Sequence, residues 1–296
     1  MLHSKQSEAF LAVAEMGSFE LAADKLCITA SAVTLRVQSL EKSLGHILII
    51  RERPCRVTHA GQDLLQYLQH TRLMQQSLMQ QLMGKTATSD FYKVTIASNA
   101  DSLATWLLPA LQETLLQECI ALELKIEDQT QTYTLLETGL VNACISTENQ
   151  PMKGCLAQPL GKMIYRMVAT PAFCQTWFQQ GINRASLKTA PAVIFNHKDH
   201  IHTDMLLKHY GLKPNTYPCH YIPSSTAFVE AIQLSLGFGM LPEFQIGNHL
   251  ITGALIEIIP EASTEIILYW HHWKRQSAQL EQLTFNILQK AQHILN

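Results

Sequence analysis

Charge is scarce in this chain and nearly cancels: Asp, Glu, Lys and Arg make up 16% of 296 residues and leave a formal net charge of -2. Phosphate backbones are held by an excess of Lys and Arg, so a protein that grips nucleic acid with its whole surface is excluded. Cysteine is sparse and unpaired in pattern. Seven occur, at Cys27, Cys55, Cys119, Cys144, Cys155, Cys174 and Cys219, with no C-x-x-C spacing and an odd total. That argues against a disulfide-stapled scaffold and against a paired-cysteine zinc site, and the seven read as reduced, mostly buried small side chains of a cytoplasmic protein. No run approaches the ~20 apolar residues of a membrane span, and MLHSKQSEAFLAVAEMGSFE lacks the charged-then-apolar order of a secretion signal. G-x-S-x-G, G-x-x-x-x-G-K-[ST] and H-E-x-x-H are also missing, so no motif assembles a nucleophile, a phosphate cradle or a catalytic zinc. The chain does not read as an enzyme.

What is present is apolar and unevenly charged. With 47% hydrophobic residues the chain can bury a substantial core and divide into two or three domains. Residues 1–89 carry 9 Lys and Arg against 7 Asp and Glu, while residues 90–296 carry 13 against 17. Within residues 36–56 there are five basic side chains, Arg36, Lys42, Arg51, Arg53 and Arg56, against two acidic ones, Glu41 and Glu52. The positive charge therefore belongs to one short module.

That module reads as three helices and a hairpin. Phe10, Val13 and Ala14 recur at helical spacing, and Gly17 is placed to stop the first helix. Ser18 can cap a second helix, expected to bury Leu21, Ala22, Ala23 and Leu26, whose alanines allow a close helix crossing. After a short connection, Thr29 or Ser31 can cap a third helix with an apolar stripe of Ala32, Val33, Val37, Leu40 and Leu44, closed by Gly45. A helix-turn-helix puts its second helix in the major groove, so Ser31, Thr34 and Arg36 are the expected base and phosphate contacts. HILIIRERPCRVTHAG then reads as a wing, with Arg51, Arg53 and Arg56 available to phosphates or the minor groove. Thr58 can cap a helix running to about residue 83, with Leu64, Leu65, Leu68, Leu78, Met79, Leu82 and Met83 as its stripe. Its roughly seven turns exceed what a small winged domain covers, so it is expected to pair with a second subunit. Residues 84–90 are the expected hinge.

From residue 92 strands and helices alternate. Strands are expected at 93–97, 122–127, 143–146, 163–169, 192–195, 217–222, 239–241, 255–259 and 265–273, with a last helix over 277–294. Such alternation implies βαβ units and open parallel sheets, two small sheet domains joined by crossover strands, with ligands gathering beyond strand ends. IASNADSLATWLLPAL places Asn99, Asp101 and Ser102 where a strand meets a helix, able to cap it or to hold a ligand's carboxylate and ammonium. PSSTAFVEA offers Ser224 and Ser225 from a second helix start; Asp128 and Glu230 supply further carboxylates, and Thr147 and His197 lie at other strand ends. FNHKDHIH invites a metal reading, yet it has no helical i,i+4 histidine pair and no identified fourth ligand, so no metal site is assigned.

FELAADKLCITASAVTLRVQSLEKSLG, the wing arginines followed by VTHAG, and GFGMLP together resemble the LysR-type transcriptional regulators. SNADSLATWLLPAL, YPCHYIPSSTAFV and LYWHHW resemble its ArgP and LysG subgroup more narrowly. The resemblance implies an α+β multidomain chain with a winged helix-turn-helix at residues 1–60 and a dimerisation linker helix and hinge at 61–90. It implies further an effector-binding domain of periplasmic-binding-protein type at 91–296, with subdomain I at about 91–165 and 268–296 and subdomain II at about 166–267. It implies double-stranded promoter DNA as partner, a homodimer that pairs into a dimer of dimers, and possible contact with RNA polymerase on the bacterial nucleoid. No cofactor is implied beyond a small-molecule effector, lysine or arginine, with basic amino-acid export or metabolism as the regulated process. One alternative keeps the architecture with a different metabolite as effector; the other, of a different class, is a cytoplasmic solute-binding module whose amino-terminal part only mediates assembly. One departure stands out: where the subgroup reads TQSAVSQR this chain has TASAVTLR, so Ala30 and Leu35 replace glutamines and can offer bases only apolar contact.

Overall fold

The computed structural model describes residues 4–83, 91–128, 131–260 and 263–295. The expected hinge at 84–90 lies outside the described residues, as do the side chains of Leu78, Met79, Leu82 and Met83 on the linker helix. The amino-terminal module comprises α1 (Ser4–Met16), α2 (Phe19–Leu26), α3 (Ala30–Leu44) and the short antiparallel strands β1 (Ile49–Ile50) and β2 (Arg56–Val57). Each helix boundary has a chemical cause. Gly17 takes a φ of +63°, and the Ser18 hydroxyl accepts from the amides of Glu20 and Leu21. Thr29 accepts from Ala32 N, and Gly45 in the left-handed region closes α3. Thr58 accepts from Gly61 N at 3.1 Å and opens α4 (His59–Met83), while its own proton goes to the Ile47 carbonyl at 2.7 Å.

Phe10, Val13, Ala22, Val33, Val37, Leu40 and Leu48 form the centre of this module. Three expected members are absent from it: Ala32, which is half-buried, and the leucines Leu21 and Leu44. Leu21 is 53% exposed and Leu44 39% exposed. The inward stripe of the eight-residue α2 is filled by Ala22 and Ala23, and Leu21, one residue back, is turned about 100° away. Leu44 sits beyond the packed length of α3, against the terminating glycine.

The rest of the chain runs β3 (Tyr92–Ser98), α5 (Ala100–Ser102), a π-type turn at Leu103–Leu107, α6 (Leu108–Gln117), β4 (Ile120–Ile126), α7 (Thr132–Glu137) and β5 (Ala143–Ser146). It continues through β6 (Cys155–Ala169), α8 (Pro171–Trp177), α9 (Arg184–Thr189), β7 (Ala192–Ile194), α10 (Ile201–Tyr210), β8 (Cys219–Tyr221) and α11 (Ser225–Gln233). β9 (Gly239–Pro242), α12 (Glu243–Ile246), β10 (Ile256–Glu257), β11 (Thr264–Trp273) and α13 (Ala278–Leu295) complete it. The expectation of open parallel sheets is corrected by the pairing. Among the described residues β3 pairs in parallel with β4 and β5, and β7 with β8, with one isolated parallel bridge between Ala192 and Phe238. β6 pairs antiparallel with β9, β10 and β11, and β11 pairs antiparallel with β5, all within one seven-stranded sheet.

β6 begins eight residues before the expected 163, because Pro159 and Gly161 break its alternation without ending it. Gly161 is required there: at φ +138° an added Cβ would lie 2.5 Å from Leu295 Cβ at the end of α13. The cysteine expectation also needs correction, since only Cys144 and Cys155 are buried and Cys27 and Cys119 are exposed. Both exposed cysteines take positive φ at chain reversals, where there is no core to enter.

Candidate functional site

Two surfaces gather the polar residues that folding leaves unspent. The first is the outer face of α3 with the wing. Ser31, Leu35, Gln38 and Lys42, spaced i, i+4, i+7 and i+11, are exposed along one line of the helix. Thr34 is half-buried and its hydroxyl donates to the Ala30 carbonyl at 2.9 Å; Ala30 itself packs against the core. Arg36 is half-buried at the edge of the stripe, whereas Arg51, Arg53 and Arg56 are all exposed on the wing. Arg51 lies over the Phe19 ring, 5.4 Å from its centroid, and Arg56 is ion-paired with Glu52. The Glu20 carboxyl is held below its ordinary range, first by the Ser18 hydroxyl and its own backbone amide and then by Arg53.

The wing is anchored at both ends. At its turn Cys55 N donates to the Gly17 carbonyl at 2.7 Å. At its base Glu41, on the last turns of α3, accepts from Leu48 N at 2.8 Å and Ile49 N at 3.3 Å. Glu41 thus fixes the position of the wing relative to the third helix. Sequence reasoning had entered it only as a negative charge; the available signal was an acidic residue one turn before a helix-stopping glycine that opens onto a strand.

The second surface is a cleft in the carboxy-terminal region, lined by Asn99, Asp101, Glu127, Asp128, Tyr165 and Asp199 with Phe195, Ile201, Phe228, Met240, Pro242 and Gln245 among the rest. Asp101 is its hub. One carboxylate oxygen accepts from the Tyr165 hydroxyl at 2.8 Å and the other from the Ser225 hydroxyl at 2.6 Å, while Gln245 Nε2 donates to Ser225 Oγ at 2.9 Å. These bonds join α5 to β6, α11 and α12. Burial pushes the Tyr165 phenol well above its usual range, and the adjacent negative charge of Asp101 adds to it.

Asp199 follows β7 and accepts from Phe195 N at 3.3 Å and Ile201 N at 3.1 Å. Burial raises its carboxyl above the ordinary range; the two amides pull it down, and Asp101 and Asp128 push it up again. Four carboxylates, Asp101, Glu127, Asp128 and Asp199, therefore meet in one cleft, and none of its lining residues is Lys or Arg. The apolar walls suit an aliphatic stem, and the carboxylates suit a cationic head.

Of the residues expected from the sequence, the structure brings Asn99, Asp101 and Asp128 into the lining and ties Ser225 to it. Ser102 is fully buried behind it, its hydroxyl against Met163 Sδ at 3.8 Å. Ser224 caps α11 through Ala227 N, His197 stacks on Tyr221 with centroids 4.1 Å apart, and neither of them, nor Thr147 nor Glu230, is among the lining residues. Asp199, Glu127, Tyr165 and Gln245 were missed. Asp199 was legible as a carboxylate between a strand end and a helix start, in the same FNHKDHIH stretch whose histidines drew the attention. Of those histidines His202 is wholly buried against Tyr217 and Phe238, and burial depresses it to about 3, so it is a neutral core side chain. Among the described residues no group of three or more His, Cys, Asp or Glu has a metal-holding arrangement, and no helix is long and apolar enough to cross a membrane.

Residues 4–62 match the profile of the bacterial regulatory helix-turn-helix protein, lysR family, and residues 92–291 that of the LysR substrate binding domain. The HTH-type transcriptional regulator ArgP of Photobacterium profundum is 39% identical over 284 residues, covering 96% of this chain and 95% of that protein. Among solved structures, ArgP from Mycobacterium tuberculosis superposes with a TM-score of 0.83 at 34% identity, with 98% of each chain covered. Full-length LysG from Corynebacterium glutamicum with bound effector Arg superposes at 0.78 with 32% identity, again over 98% of each chain.

Proposed function

The chain belongs to the LysR family of bacterial regulatory helix-turn-helix proteins, and on that premise we propose that a basic amino acid, arginine or lysine, enters its acidic cleft and controls its hold on operator DNA. The observation that carries this is the charge of the cleft: four carboxylates and no facing Lys or Arg among the lining residues. An anionic metabolite would meet repulsion from every side, whereas a guanidinium or ammonium satisfies charges that are otherwise costly to hold together. The similar LysG structure, with its bound Arg, supports the same assignment. Asp101 is the first partner of the cation, with Asp128 and Asp199 around it, and the apolar walls take the methylene stem.

On the DNA side, the outward stripe of α3 reads base edges, while Arg36 and the wing residues Arg51, Arg53 and Arg56 neutralise phosphates. The 25-residue α4 is the surface for pairing two chains, and two such pairs form the operator-bound assembly, from which RNA polymerase is contacted. Working on promoter DNA, the protein acts in the cytoplasm on genes for basic amino-acid export or metabolism.

Calorimetry of the full chain with arginine, lysine and citrulline, at about pH 7.5 and about pH 6, tests the effector. Burial, with Asp101 and Asp128 after it, holds the Asp199 carboxyl above its ordinary range, and only its ionised form attracts a cation. Arginine or lysine should therefore bind with measurable heat and lose affinity as the pH falls. Citrulline, uncharged at its head, should not bind. Absence of heat with both basic amino acids would remove this effector while leaving the regulator in place.

A further inference from the structure

The outward stripe of α3 holds one side chain that does not fit its company. Ser31, Gln38 and Lys42 all carry hydrogen-bonding or charged groups; Leu35, in the middle of the line, carries none and is 66% exposed. A leucine in that position gains free energy only when something strips water from it. Its neighbour Thr34 does not compete for the same spot, because its hydroxyl is turned back onto the Ala30 carbonyl. In the major groove the apolar group that base edges present is the C5-methyl of thymine.

Resting on the reading that α3 enters the groove, we propose that Leu35 is a specificity-determining residue that selects a thymine by contact with its methyl group. Gln38, one turn further along the same line, presents an amide whose donor and acceptor match the N6 and N7 edge of adenine. The centre of the stripe is thereby written for an A·T-containing step, with Leu35 responsible for its thymine.

The test needs only the full chain and a duplex that it has itself selected from a random pool. Each thymine is replaced in turn by deoxyuridine, which deletes one methyl group and keeps every hydrogen-bonding group. At one or two thymines of each half-site the dissociation constant should rise about fourfold, the equivalent of one buried methyl. Leu35→Ala, a change at an exposed position that leaves the core untouched, should bind the parent duplex about fourfold more weakly and show no further loss at those thymines. Two results would overturn the assignment: no thymine position sensitive to the missing methyl although the duplex is bound, or the same sensitivity persisting in Leu35→Ala. Failure of the unmodified protein to bind any selected duplex would instead strike the DNA-binding reading on which the assignment rests.

Discussion

Asp101→Asn should weaken arginine binding by about 30-fold or more, the loss typical of removing one member of a desolvated charge pair. The substitution is nearly isosteric. Its remaining carbonyl oxygen still accepts from one of the two hydroxyls that now meet there, Tyr165 at 2.8 Å or Ser225 at 2.6 Å. What disappears is the negative charge at the point where the elements around the cleft converge. A second consequence separates this from general damage. Asp101 is one of the charges that, after burial, raise Asp199, so removing it lowers that carboxyl and should make arginine affinity less sensitive to falling pH. The thermal midpoint without ligand should stay close to that of the unmodified chain. Calorimetry of the variant at two pH values, beside a melting curve, reads all three quantities; unchanged arginine affinity would place the cation elsewhere.

Glu41→Ala should lower operator affinity about tenfold and flatten its salt dependence, although Glu41 is acidic and would itself repel phosphate. Its carboxylate accepts from the amides of Leu48 and Ile49, residues that are almost completely buried. Removing it orphans two amides, at a cost of about 1–3 kcal/mol for each left unsatisfied, and lets the wing leave its position beside α3. Each wing arginine that then misses its phosphate reduces the salt slope by about 0.9. Glu41→Gln retains a carbonyl acceptor at the same reach and should recover most of the affinity and the slope. Anisotropy titrations of a labelled operator at several salt concentrations distinguish the cases: an Ala variant that binds with the original slope would mean that the wing does not depend on this carboxylate.

The amino-acid pattern was a good guide wherever one local rule decided the outcome. Caps at Ser18, Thr29 and Thr58 and the left-handed stop at Gly45 depend on neighbours within a few residues, and the structure has them as the sequence indicated. Strand positions such as Ala143–Ser146 follow from composition and length alone. Hydrophobicity alone does not bury Leu21, because a two-turn helix with adjacent alanines has no room for a second inward leucine. β6 was half hidden by Pro159 and Gly161, which the strand tolerates because over that stretch its ladder partner is β11 alone, with a register shift at Leu268 and Tyr269, while β9 and β10 pair only with residues 165–169. The cleft was legible only in part. Asp101 and Asp128 stand at the ends of β3 and β4, which pair directly, and could be grouped by the strand-end rule. Tyr165, Asp199 and Gln245 join them only because the return of the chain brings segments 64, 98 and 144 positions away onto Asp101, a relation that spacing does not encode.

Effector and operator should share a single equilibrium, and its reciprocity can be measured directly. Anisotropy of a labelled, protein-selected duplex is titrated with the full chain at fixed salt, with and without saturating arginine, and arginine is titrated into the free chain and into its DNA complex. Coupling of about fivefold or more in operator affinity, matched by the same factor in arginine affinity, is the expected result. Arginine bound in the cleft with both affinities unchanged would contradict it.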